Sequence, residues 1–161
     1  MEVVYFIIGG NLGNVLDTFR KVKIELEHKI GQISGESNLY RTESWGDDQQ
    51  PDYFNQVLYI SSNLTAVDVL NYCLDIEVLH GRVRNLENQW APRTIDIDIL
   101  YYGNEIINTA QLTLPHPRLH QRNFVLVPLN EIAPELIHPI FQKSNAQLLV
   151  ECVDQLEANE I

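Results

Sequence analysis

The chain is short of cysteine, of positive charge and of long apolar runs, and each shortage argues against a class of protein. Only Cys73 and Cys152 occur in 161 residues, far apart and without metal-ligand spacing. That argues against a disulfide framework or a zinc ribbon, and both read as small core residues in a reducing cytoplasm. Lysine and arginine number 11 against 22 acidic residues, for a formal net charge of −11. Such a chain is poorly suited to bind nucleic acid through its phosphates. No apolar run approaches the roughly 20 residues that span a bilayer. The start, Met1-Glu-Val-Val-Tyr-Phe-Ile-Ile8, lacks the basic opening of a secretion signal and runs straight into Gly9-Gly10. The expectation is one compact domain over residues 1–161, cytoplasmic and monomeric, with small-molecule partners, no nucleic acid and no membrane.

The shortage of lysine is local and informative. Between Ser44 and Gln142 there is none, and the basic residues there, histidine aside, are Arg82, Arg84, Arg93, Arg118 and Arg122. A guanidinium is a flat fork of donors that matches phosphate oxygens and keeps its charge. Five of them in an acidic chain, three between Arg82 and Arg93, suggest a local polyphosphate site. Scattered surface ion pairs are the plainer alternative.

The densest signal lies at Trp90-Ala-Pro-Arg-Thr-Ile-Asp-Ile-Asp-Ile-Leu-Tyr-Tyr-Gly103. Residues 94–102 predict a strand, rich in β-branched and aromatic side chains, entered after Pro92 and left at Gly103-Asn104. Side chains alternate along a strand, so Ile95, Ile97 and Ile99 share one face and Asp96 and Asp98 the other. Like charges at that spacing repel unless something positive lies between them. Two Mg²⁺ ions, held by carboxylates and substrate phosphates, would supply it. A solvated face carrying two aspartates fits the strand equally well.

The other elements follow from period and punctuation. Residues 3–8 predict a strand and 15–29 a helix, with Leu16, Phe19, Val22, Ile24, Leu26 and Ile30 as its apolar positions. Strands follow at 33–42 and 53–61. Thr65 caps a helix reaching about His80, whose stripe of Ala66, Val69, Leu70, Cys73 and Leu74 continues to Glu77. With the aspartate strand, the order is βαββαβ: an α+β, ferredoxin-like core in which two helices cover one face of an antiparallel sheet. C-terminal additions are a hairpin turning at Tyr102-Gly-Asn-Glu105, a strand near Leu112–Leu114, a short helix near Phe124–Ile132 and a last helix from about Ala146. Ser144 caps that helix, with Gln147 able to close a capping box.

Gly9-Gly-Asn-Leu-Gly13 fits neither the P-loop nor the dinucleotide fingerprint. It predicts a tight strand-to-helix turn whose glycines also let a ligand approach the backbone. The polar stretch from Arg82 to Trp90 suits a loop that folds over a substrate. There Trp90 is either an anchor or a lid aromatic. Tyr53 and Asn55 share a strand face, and an aromatic beside an amide suits a flat heterocycle. His116-Pro-Arg118 after Pro115 is extended and brings an imidazole near Arg122 and Phe124.

Together these segments resemble the 6-hydroxymethyl-7,8-dihydropterin pyrophosphokinase family of folate biosynthesis. The likeness runs from the first strand to about Pro139. It rests on Gly9–Gly13, Tyr40-Arg-Thr-Glu-Ser-Trp-Gly46, Asp52-Tyr-Phe-Asn55, Glu77 with Gly81-Arg-Val-Arg84, Trp90–Leu100, and Leu114-Pro-His-Pro-Arg118 with Arg122-Asn-Phe-Val-Leu126. The resemblance implies an ATP-dependent diphosphokinase: the pterin hydroxyl attacks the β-phosphorus of ATP and AMP leaves. It implies two Mg²⁺ on Asp96 and Asp98, with Arg82 and Arg93 at the triphosphate and Arg84 and Trp90 closing the loop. His116 and Arg122 would bind phosphate oxygens, with Thr113 and Glu77 near the nucleoside. Tyr53 and Phe124 would sandwich the pterin, whose edge Thr42, Asn55 and the backbone at Trp45 would read. Departures from the family pattern are Gly10 for the usual serine and no proline at Glu43 or Ser44. Two other classes use such a sheet. A two-metal nucleotidyl transferase would want a basic template groove, and an RNA-binding module would want lysines beside its aromatics and no aspartate pair.

Overall fold

The computed structural model describes residues 1–43, 51–82 and 94–161. Its centre is β1 (Glu2–Gly10), which pairs antiparallel with β4 (Tyr53–Ser62) on one side and with β5 (Asp96–Tyr102) on the other. Beyond β4 lie β2 (Ile33–Glu36), β3 (Tyr40–Thr42) and then β8 (Asn159–Glu160), so the main sheet runs β5-β1-β4-β3-β8 with β2 also on β4. With α1 (Val15–Lys29) and α2 (Ala66–Leu79) as crossovers, this is the expected βαββαβ order.

The strand expected at 33–42 is broken in two. Glu36 pairs with Leu58 and Tyr40 with Asn55, so four steps on one strand oppose three on the other. Ser37 holds this bulge from both sides: its N–H donates to the Val57 carbonyl at 2.8 Å and its Oγ accepts from the Val57 N–H at 3.0 Å.

The two faces of the sheet are covered differently. Val4, Phe6, Ile8, Leu58, Ile60, Ile97 and Ile99 point to the face under α1 and α2 and are all buried. The α1 stripe is Val15, Phe19, Val22, Leu26 and the following Ile30, while Leu16 and Ile24, expected on it, face solvent. The α2 stripe is Ala66, Val69, Cys73 and Ile76, joined by buried Glu77. Asn14 caps α1 by accepting from the Asp17 N–H, and Thr65 caps α2 by accepting from the Asp68 N–H.

The second face carries Ile7, Val57 and Tyr101 under α3 (Asn123–Ile132) and α4 (Asn145–Glu151). Tyr101 is fully enclosed, and its hydroxyl donates to Asn145 Oδ1 at 2.7 Å. The hairpin forms farther on than expected: Tyr102–Glu105 is a turn, but the paired strands are β6 (Ile107–Asn108) and β7 (Thr113–Leu114). At α4 the Ser144 cap is made, whereas the Gln147 side chain reaches Glu151 and not back to the cap. Among the described residues no helix is long and apolar enough to cross a membrane.

Candidate active site

Register places the candidate residues in rows on the second face. Gly9 of β1 stands between Asn55 of β4 and Asp96 of β5. Two residues along, Ile7 stands between Val57 and Asp98. At the sheet's other side Thr42 of β3 pairs with Tyr53 of β4. Partners in antiparallel register share a face, so Thr42, Tyr53, Asn55, Asp96 and Asp98 all project to the same side. Asn55 and Asp96 are two strand spacings apart, about 10 Å at the backbone. The row between them holds a glycine. A Cβ on Gly9 would stand 2.5 Å from Asn55 Oδ1, so this position is bare because the amide occupies the space.

The turn after β1 is the predicted strand-to-helix connection. Gly13 has φ of 70°, which favours glycine. Asn11 is buried, and its Nδ2 donates to the Pro51 carbonyl at 3.1 Å. This ties the glycine turn to the residue just before Asp52 and Tyr53. Thr42 is buried too, and its Oγ1 has no hydrogen-bond partner among the described residues. A buried hydroxyl of that kind calls for a partner, and a ligand edge would provide one.

At the aspartate end, Arg82 is drawn in tightly. Its Nη1 donates to Asp96 Oδ1 and to the Ile95 carbonyl, each at 2.9 Å, and lies 3.6 Å from Glu77 Oε2. The Glu77 carboxylate accepts from the Ile97 N–H at 2.9 Å. Burial pushes the Glu77 carboxyl above its usual range, and neighbouring Asp96 adds to the rise. Glu77, expected near the nucleoside, is enclosed beside Asp96 and Arg82, on the α2 stripe where the sequence placed it.

Asp98 is faced by His116, with Nε2 3.9 Å from Asp98 Oδ2. The His116 N–H donates to the Leu100 carbonyl at 2.9 Å, which pins this loop to β5. Burial pushes the imidazole down to about 4, and the Arg122 guanidinium acts in the same direction. His116 is therefore neutral near pH 7. Its Nδ1 accepts from the Arg118 N–H at 3.2 Å, so the ring proton sits on Nε2 and faces the aspartate end. Arg122 precedes α3, and its guanidinium carbon lies 5.4 Å from the centre of the Phe124 ring. Thr113 is exposed on β7, three residues before His116. Trp45, Arg84, Trp90 and Arg93 lie outside the described residues.

The donor set suits a hard divalent cation. Asp96 and Asp98 are part-exposed oxygen donors on one face. Among the described residues no group of three or more His, Cys, Asp or Glu side chains forms a metal cage. Two carboxylates without a cage match Mg²⁺, which keeps waters and takes its other ligands from substrate phosphates.

Residue-by-residue reading of the sequence singled out neither Asn11 nor the spatial role of Gly9. An amide inside a glycine-rich turn was the available signal for Asn11. The demand at Gly9 comes from a strand about 45 residues away and has no local mark.

The model of the 7,8-dihydro-6-hydroxymethylpterin-pyrophosphokinase family matches residues 5–134. The chain is similar to the 2-amino-4-hydroxy-6-hydroxymethyldihydropteridine pyrophosphokinase of Synechocystis sp., 40% identical over 148 residues, covering 90% of this chain and 74% of that one. It is 38% identical over 160 residues to the Haemophilus influenzae protein of the same name, covering 96% and 93%. Among solved structures, the HPPK-DHPS protein of Plasmodium falciparum superposes with a TM-score of 0.72 at 14% identity, over 93% of this chain and 41% of that one. That likeness bears on the fold alone, and the chain spans well under half of that longer protein.

Proposed function

The chain belongs to the 7,8-dihydro-6-hydroxymethylpterin-pyrophosphokinase family, and from that premise we propose which of its residues carry out the transfer of diphosphate from ATP to the pterin hydroxymethyl oxygen, with release of AMP. The observation that carries the reading is the row Asn55–Gly9–Asp96. It has an amide suited to reading a heterocycle and a carboxylate suited to a metal on one face, with the amide lying over the glycine between them.

In this reading Tyr53 and Phe124 hold the pterin ring between them, and Thr42, Asn55 and the Trp45 backbone bond its edge. The Thr42 hydroxyl, buried and without a partner among the described residues, supports that assignment. The hydroxymethyl arm then reaches past Asn55 toward Asp96 and Asp98. Those two carboxylates hold two Mg²⁺ ions, which when bound neutralise phosphate charge and lower the pKa of the attacking hydroxyl. Arg82 steadies Asp96, with Glu77 beside both. His116 offers an Nε2–H donor to a phosphate oxygen, and Arg122 offers a charged fork. Arg84, Trp90, Arg93 and Thr113 complete the nucleotide side in the roles that the resemblance implies.

Diphosphate transfer of this kind depends on positioning and charge neutralisation more than on covalent catalysis. Residues 1–161 act as one unit in this reading, since the segment after residue 134 bonds back onto β3 and α3. A cytoplasmic setting would keep Cys73 and Cys152 as the free thiols seen here. The test is turnover with ATP, Mg²⁺ and reduced hydroxymethylpterin. AMP and the pterin diphosphate are the expected products in equal amounts, and ADP, or no turnover, would refute the reading.

A further inference from the structure

Residues 152–161 lie beyond the stretch matched by the family, yet they are bonded to both walls of the site. They form an extended strap whose alternate residues Cys152, Asp154, Leu156 and Ala158 are part-buried while Val153, Gln155, Glu157 and Asn159 face outward. One end pairs with the sheet edge: Tyr40 with Glu160 and Arg41 with Asn159. Asn38 Nδ2 donates to Glu160 Oε1 at 2.6 Å, and the Ile161 N–H donates to the Leu39 carbonyl at 3.0 Å. The strand so covered is β3, which ends in Thr42.

The other end grips the start of α3. The cap residue there is Arg122, whose side chain makes no capping bond, so the first helical N–H groups need acceptors from elsewhere. Asp154 supplies one. Its Oδ2 accepts from the Asn123 N–H at 2.9 Å, while its Oδ1 accepts from the Leu156 N–H at 3.0 Å and so shapes its own turn. The carboxylate also suits the positive end of the helix dipole. In return Asn123 Nδ2 donates to the Asp154 carbonyl at 2.9 Å and the Leu156 carbonyl at 3.1 Å. Asn123 stands between Arg122 and Phe124, the phosphate-side cation and the pterin-side ring.

We infer that Asp154 is a positioning residue for the pterin site: through Asn123 it holds the Phe124 ring in place, and the strap it anchors braces the β3 wall opposite. The inference rests on the placement of the pterin between Tyr53 and Phe124. A residue that merely supported the fold would lower the fraction of active molecules and leave both Michaelis constants alone. A residue that holds the ring must act on the pterin.

The experiment compares wild type with Asp154→Ala, Asp154→Asn, Asn123→Ala and the double variant Asp154→Ala/Asn123→Ala, each checked for a cooperative melt. Loss of a charge-assisted cap should raise the pterin KM about tenfold, with kcat and the ATP KM within about twofold of wild type. Asp154→Asn, which keeps one acceptor, should fall between, and the double variant should be little worse than either single one. Direct titration with the pterin, without ATP, should show the same weakening. If Asp154→Ala melts cooperatively and binds pterin as wild type does, the inference is overturned while the function stands. A fall in kcat alone, or a rise in the ATP KM alone, overturns it too. If wild type neither binds the pterin nor makes AMP, the functional reading fails and the inference fails with it.

Discussion

The two faces of one sheet are built from the same strands by the same alternation, yet they do different work. Under α1 and α2 the residues at each inward position are apolar and buried, from Val4 through Ile8 and from Leu58 to Ile60. On the other face α3 and α4 cover only part of the strands. Where they cover, the residues are Ile7, Val57 and Tyr101, and at the uncovered end they become Asn55, Gly9 and Asp96. A closed face favours groups that need no water, and a polar group there has to be bonded, as buried Glu77 is to the Ile97 N–H. The end beyond α3 and α4 holds part-exposed Asp96 and Asp98, which solvent reaches, beside a buried amide, Asn55. In the proposed function, chemistry and packing are thus separated by side within each strand, one residue from the next.

The sharpest way to break this comparison is one substitution on each face. Asp98→Ala should cut turnover by roughly 10²–10³-fold or more while the melt stays near wild type. Phe6→Ala should cost about 3–5 kcal/mol of stability, while the molecules that remain folded turn over normally. Activity and melting curves on both variants decide it; a destabilised Asp98→Ala or a catalytically impaired, folded Phe6→Ala would dissolve the division.

Gly9→Ala tests the contact between Asn55 and the glycine that separates it from Asp96. The clashing atom is Asn55 Oδ1, the end of a side chain, so the fold can yield by turning that amide. The expected result is a pterin KM raised about tenfold for a stability loss of about 1 kcal/mol. Equal weakening of ATP would show that Gly9 serves the nucleotide instead.

The smallest effect concerns acid. Burial pushes His138 down to about 4, as it does His116, and His120 beside His138 acts in the same direction. An unfolded histidine titrates near 6.5, as an approximate reference. Between about 6.5 and about 4 the unfolded chain therefore binds more protons, so this contribution to stability is present above the window and lost as pH falls through it. Glu77, held above the usual range, has the opposite sign, so the informative quantity is a difference between proteins. His138 Nδ1 accepts from the Ile140 and Phe141 N–H groups, each at 3.2 Å, a role an asparagine oxygen can take. Melting temperature against pH should thus fall less steeply below pH 6.5 for His138→Asn than for wild type, and parallel curves would show that His138 titrates normally.

Much of this was legible in the chain and some was not, for particular reasons. The shared face of Asp96 and Asp98 follows from a period of two. So does the shared face of Tyr53 and Asn55, and Glu77 falls on the inward stripe of its helix by spacing alone. Leu16 and Ile24 were misplaced because local periodicity cannot say where a helix turns its back on the sheet. The break at Ser37 was invisible because a serine that bonds the opposite strand looks like any other serine until that strand is in place.

Alternation, turn chemistry and the company of short motifs were enough to determine the element order, the acidic pair and the family resemblance, since each depends on neighbours in sequence. What only the folded chain decided is which distant groups meet: Gly9 bare for Asn55, Arg82 folded onto Asp96, the ring proton of His116 on Nε2, and Asp154 capping the helix that carries Phe124. These depend on strand register and on burial, which bring together residues that share no local pattern.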